Sequence, residues 1–168
     1  SFDSQHFTRA CDLRKHLPMN LRMRLAVLPL LTWIFDVKPS LVVISKPFSL
    51  PTRREGMHMV GPMLRPSLEK AEHDPSGTHV LCYSRARLDR ALTTAFEHAR
   101  CIGLEVRLYG HHPAEVPENV RCMPISDEGF VRDMLSADAV ICTSGSQLIG
   151  ELAVLGIPSV LLPEPGQV

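Results

Sequence analysis

Residues 139–163 read AVICTSGSQLIGELAVLGIPSVLLP. A continuous apolar run, AVICTS, is what a strand buried on both faces of a parallel sheet requires. It passes directly into Thr143-Ser144-Gly145-Ser146, and a helix is predicted to start at once and run from Ser146 to Leu155. PSVLLP then supplies the next strand. Strand, glycine-containing turn, helix and strand within so short a span is a β-α-β unit.

The same alternation extends back to Thr78. Strand THVLCYS precedes a helical stretch from Arg85 to Cys101 with apolar residues at Leu88, Leu92, Ala95, Phe96 and Ala99. Strands LEVRLYG and NVRCMPI follow, then a helix from about Asp127 to Ala137. Five strands in this order predict an α/β fold, a Rossmann-like doubly wound parallel sheet.

Residues 1–60 are irregular by comparison. A helix is expected over 20–35, NLRMRLAVLPLLTWIF, and a short strand at LVVIS, residues 41–45. MHMVGPMLRPSLEKAEHDPSG, residues 57–77, is rich in Pro and Gly and reads as a connection. The expected organisation is an N-terminal piece over 1–60, a linker over 61–76 and a second domain over 77–168.

Charge divides along similar lines. The chain has 168 residues with 18 Lys and Arg against 18 Asp and Glu. Residues 1–70 hold 11 and 5 of these, and residues 71–168 hold 7 and 13. The net zero gives no general reason to expect nucleic-acid binding, and Arg53-Arg54 is too short for a basic patch. The five cysteines include no CxxC pair and predict reduced core thiols in a cytoplasmic protein rather than a disulfide framework. His111-His112 has no third ligand nearby in sequence, so no metal site is expected. The apolar run Leu25–Phe35 is about half of the roughly 20 residues a membrane span needs. With Arg22 and Arg24 at one end it suits either a surface contact with a membrane or, more commonly, a helix packed inside its own domain.

The turn at 143–146 carries the chemistry. First-turn amides of a helix are unpaired and bear partial positive charge, so the junction suits an anion such as phosphate. Gly145 permits a sharp turn or a close approach to a ligand, and Ser144 and Ser146 add hydroxyls. The plainer alternative makes Ser146 an N-cap and Gly145 a tight turn. No GxxxxGK[ST] or GxGxxG is present, which leaves out a triphosphatase loop and weakens a dinucleotide reading. Glu151, about one and a half turns into the helix, is spaced to point along the edge of the same cleft, where carboxylates often receive ribose hydroxyls.

SGSQLIGELAVLGIPSVLLP, residues 144–163, resembles the donor-binding signature of nucleotide-sugar glycosyltransferases with two Rossmann-like domains (the B-type fold). The likeness is to the family 28 peptidoglycan N-acetylglucosaminyl transferases and an uncharacterised group of the same kind. The matching positions are Ser144, Gly145, Glu151, Gly156 and Pro158, without a gap. DEGFVRDMLSADAVI, residues 127–141, is similar to that family's helix near the nucleobase. HMVGPMLRPSL and SFDSQH look like its interdomain crossing and a closing loop of its acceptor domain.

The resemblance implies transfer of a sugar from a UDP-linked donor to an acceptor of unassigned identity, lipid-linked in some relatives. It implies a nucleotide sugar as co-substrate and no further cofactor. Ser144, Gly145, Ser146 and Gln147 would cradle the diphosphate and sugar, Glu151 would bind the ribose, and Ile125 and Phe130 would flank the uracil. Asp3, Gln5 and His6 would face the cleft, with His6 or Asp3 as candidate base. The loop CYSRARL, residues 82–88, lacks the family's usual glycines, leaving Ser84 or Arg85 as conjectural phosphate contacts. The sugar-reading pair that follows the family's P…GQ turn lies past Val168, with Gln167 a weak substitute. The chain is therefore expected to be a fragment, mostly of a donor domain, and inactive alone. A UDP-sugar 2-epimerase of similar fold and a non-catalytic nucleotide-sugar-binding module are the alternatives. The first is disfavoured by Ile149-Gly150, which stand where its paired glutamates would be.

Overall fold

The structure, a computed structural model, describes Met19 and residues 41–48, 55–75, 77–85, 89–113, 115–143 and 145–162. The expectations for Asp3, Gln5, His6, Arg53-Arg54, Ser144, Gln167 and the helix over 20–35 lie outside these residues. The chain divides between Met63 and Leu64 into two compact units.

In the first unit, β1 (Val42–Ser45) pairs in parallel with β2 (Met57–Val60). Val42 and Ile44 are buried and pack against Met57 and Met59. The Ser45 hydroxyl donates to the Gly61 carbonyl and accepts from the Met63 amide, both at 3.1 Å. Strand β2 corrects the sequence reading, in which MHMV belonged to a connection.

The second unit is built on five parallel strands in the order β5-β4-β3-β6-β7. These are β3 (His79–Ser84), β4 (Glu105–Gly110), β5 (Val120–Cys122), β6 (Ala139–Thr143) and β7 (Ser159–Leu162). The chain starts in the middle with β3, moves outward through β4 and β5, and then returns to the other side of β3 for β6 and β7. That is the doubly wound order, and it reverses between β3 and β6.

Helices cover both faces. On one, Leu81, Tyr109, Val140 and Cys142 meet α2 (Asp127–Leu135) and α3 (Ser146–Leu155) through Val131, Met134, Leu148 and Leu152. On the other, Cys82, Val106 and Leu108 meet α1 (Asp89–Cys101) through Leu92, Phe96 and Ala99. Alternate strand residues supply the two faces, which is why the central strands read as continuous apolar runs. The short turn Pro66–Leu68 also belongs here, with Leu68 buried in the α2–α3 cluster and Leu64 and Ala71 packed against it.

Helix ends explain the sequence signals. Ser126 caps α2 by accepting from the Gly129 amide at 3.2 Å, with Asp127 and Glu128 favourably placed in the first turn. Helix α3 ends on Gly156, whose φ of 67° is left-handed and whose amide bonds the Leu152 carbonyl. The Gly156–Pro158 turn then delivers the chain to β7.

The four described cysteines are free thiols. Cys82 and Cys142 are buried, and burial pushes their thiols up to about 12 and about 11, with Cys142 adding to the shift at Cys82. They behave as small hydrophobes. Cys101 and Cys122 are exposed, which corrects the reading of these two as core residues.

Candidate functional site

A cleft of about 540 Å³ opens at the carboxyl ends of the strands, where the strand order reverses. This is where a doubly wound sheet places its ligands, because adjacent connections leave in opposite directions and part there. The volume lies in the range of ligand pockets, roughly 300–1,000 Å³.

One wall is the start of α3. Gly145, Ser146, Gln147 and Leu148 line the cleft. The N-cap is Gly145 and not Ser146, and the cap residue itself makes no side-chain hydrogen bond. The plainer sequence alternative of a serine cap is therefore not what forms. Gly145 has φ −77° and ψ 121°, a conformation any residue adopts, and a Cβ there would meet nothing within 4 Å. Neither turn geometry nor protein packing demands glycine. What the missing side chain provides is open space against the helix terminus.

The opposite wall is aromatic. Tyr83 and Tyr109 are register partners at the ends of β3 and β4, so they stand side by side on one face. Phe130, in the first turn of α2, packs edge-on to both, with ring centroids 5.7 Å from Tyr83 and 5.1 Å from Tyr109. Ile125, just before α2, lines the mouth and is 95% exposed. Gly110 ends β4 at φ +91°, and a Cβ there would lie 2.2 Å from the Ser84 carbonyl oxygen. Glycine is required at that position on both counts.

Arg65 joins the two walls. Its guanidinium lies 5.5 Å from the Phe130 centroid. Nε and Nη2 donate to the two carboxylate oxygens of Glu151, each at 3.0 Å, and Nη1 donates to Asp127 at 2.6 Å. Burial opposes the charge of Arg65, but Glu151 and Asp127 more than offset it and raise its pKa.

Glu151 itself is fully buried and does not line the cleft. Its spacing predicts a carboxylate along the cleft edge; the structure instead turns it onto Arg65, with the Gln147 amide 3.4 Å from the same carboxylate. Ser84, one of the two conjectured phosphate contacts, is likewise buried, whereas Arg85 is exposed and lines the cleft.

Gly145, Ser146, Gln147, Ile125 and Phe130 are thus brought together around one opening. Arg65, Tyr83, Tyr109 and Asp127 complete it without having been expected from sequence. The tyrosines had a readable signal, since each ends a predicted parallel strand. Arg65 had none, because its partner is 86 residues away. Among the described residues, no group of three or more His, Cys, Asp or Glu is placed to hold a metal ion.

Behind the aromatic wall lies Asp133, fully buried. It accepts from the Tyr109 hydroxyl at 2.7 Å, Arg107 Nη1 at 2.8 Å and Arg132 Nε at 3.2 Å. Burial alone would raise the Asp133 pKa, but these donors prevail and hold it below the usual carboxylate range. Burial and the same carboxylate push the Tyr109 hydroxyl up, so it remains a neutral donor. A lowered folded pKa stabilises the fold above the unfolded value of about 3.9, and that contribution is lost as pH falls through the folded value. Denaturation of wild type and Asp133→Asn at pH 7, 4 and 2.5 is expected to show a stability gap that narrows with acid. A gap independent of pH would contradict this arrangement.

The glycosyl transferase family 1 profile matches residues 1–168, the whole chain. The chain belongs to that family. No curated protein matches it. Among solved structures, this glycosyl transferase family 1 chain is similar to spinosyn forosaminyltransferase SpnP, at 16% identity and a TM-score of 0.48. That alignment covers 96% of this chain and 46% of the other, so the chain spans less than half of that protein's length.

Proposed function

We propose that this chain forms the nucleotide-sugar side of a glycosyl transferase that moves a sugar from a UDP-linked donor to an acceptor. The observation that carries the reading is the first turn of α3, with glycine at its N-cap, facing an aromatic wall across a cleft at the sheet's reversal point. The donor diphosphate binds at Gly145, Ser146 and Gln147, with Ser144 beside them, where helix amides receive the negative charge that grows as the sugar leaves. Open space at Gly145 supports that approach. Arg85, exposed on the same cleft, supplies a cation.

The uracil packs at Phe130 and Ile125. The ribose hydroxyls bind Glu151, and for this the Arg65 guanidinium must leave the carboxylate it now covers. Arg65 is the less buried partner, its side chain 21% exposed against 0% for Glu151. The likeness of residues 144–163 to the family 28 donor signature supports the same assignment. Four free thiols fit a reducing compartment such as the cytoplasm. The base belongs to the N-terminal piece, with His6 and Asp3 as candidates.

Labelled UDP-sugars offered with a cell extract to the protein that carries these residues test the activity. Label transferred from the donor to an acceptor is the expected result. Donor binding without transfer or donor cleavage would replace the enzyme reading with that of a binding module.

A further inference from the structure

We infer that Asp133 is a positioning residue for the nucleoside end of the cleft, acting through Tyr109 to set the start of α2; this rests on the donor-binding reading above. Tyr109 touches α2 at two successive positions of one helix face. Its ring meets Phe130 edge-on at 83°, and its hydroxyl donates to Asp133 one turn later, at 2.7 Å. A ring packed on the helix can slide or pivot. A ring also tied by its hydroxyl fixes both the depth and the rotation of α2 against β4.

The tie is reinforced from the same strand. Arg107 lies two residues before Tyr109 on β4, hence on the same face, and its guanidinium bonds the other Asp133 oxygen at 2.8 Å. Two adjacent same-face residues of β4 therefore grip one buried carboxylate of α2. His79 at the start of β3 adds a bond from Nε2 to the Asp133 carbonyl oxygen at 2.9 Å.

Burying a carboxylate completely costs solvation that apolar side chains of similar size would not incur. This one lies directly behind the two residues, Phe130 and Tyr109, that face the opening. The placement gives the network a purpose that packing alone does not. It holds the aromatic wall, and with it Ile125 and Ser126, at one distance from the helix terminus of α3.

The test compares binding of UDP with binding of inorganic pyrophosphate to the whole chain. Tyr109→Phe keeps the ring and removes the tie; Asp133→Asn keeps the shape and removes the charge. Tyr109→Phe is expected to weaken UDP about five- to tenfold while pyrophosphate binding is unchanged. Asp133→Asn and Tyr109→Phe together are expected to weaken UDP by less than the sum of the two single effects, since both disturb the Tyr109–Asp133 bond.

UDP affinity equal to wild type in Tyr109→Phe would overturn the inference, leaving Asp133 a role in stability alone. An equal fall for UDP and pyrophosphate would overturn it too, because the effect would not be confined to the nucleoside end. A wild type that binds pyrophosphate but gains nothing from the uridine would refute the donor-binding reading itself, a different failure.

Discussion

Arg65→Ala is expected to cost about 3–5 kcal/mol of folding stability, far more than loss of a surface ion pair. The reason is Glu151. Its carboxylate is completely buried, and both of its oxygens are satisfied by the one guanidinium. Removing Arg65 leaves a desolvated negative charge whose remaining hydrogen-bond donor among the described residues is the Gln147 amide at 3.4 Å. The Asp127 contact contributes little, because that side chain is 74% exposed and water replaces its partner.

The cost should be largely recoverable. Arg65→Met combined with Glu151→Leu removes both charges and restores apolar contact, and buried pairs replaced this way are often neutral or better. Urea denaturation followed by far-ultraviolet circular dichroism is expected to place the double variant well above Arg65→Ala. An Arg65→Ala chain within about 1 kcal/mol of wild type would show that Glu151 does not depend on Arg65.

The same pair shapes the expected ligand response. The second unit carries more acidic than basic residues, so its overall field does not attract an anionic nucleotide. Attraction must be local, from the α3 terminus and from Arg85. Arg65 is already committed to two carboxylates, and under the proposed donor binding it gives up one of them to the ribose. If UDP binds as proposed, its expected affinity is smaller than its contacts alone suggest, because part of the interaction energy reopens an existing bidentate bond.

The sheet was legible in the sequence because parallel strands buried on both faces leave unbroken apolar runs, such as VLCY and AVIC, between helix-period segments. Strand β2 was not. MHMV is short, alternates with a histidine and runs straight into Gly61-Pro62, so only its pairing with β1 identifies it. The start of α3 at Ser146 is legible in the sequence, yet the role of Gly145 is legible only in part. Its backbone is unstrained, and the open space beside it appears only in three dimensions.

Side-chain partnerships were the least legible. Its spacing from Gly145 marks Glu151 in the sequence, but spacing along a helix fixes a face and not what covers it. What covers it is Arg65, from the other end of the unit. The Tyr83–Tyr109 pair depends on strand register, and the Tyr109–Asp133 bond on how α2 packs against β4. Local pattern contains neither.

The central claim is that Glu151 receives ribose hydroxyls in a cleft whose phosphate end is the start of α3. Calorimetric titration of UDP and of 2′,3′-dideoxyuridine diphosphate into wild type and Glu151→Gln tests it most directly. In wild type, UDP is expected to bind about tenfold more tightly than the dideoxy analogue, and in Glu151→Gln the two are expected to bind alike. No binding of UDP by wild type, or the same preference for UDP in both proteins, would contradict the account.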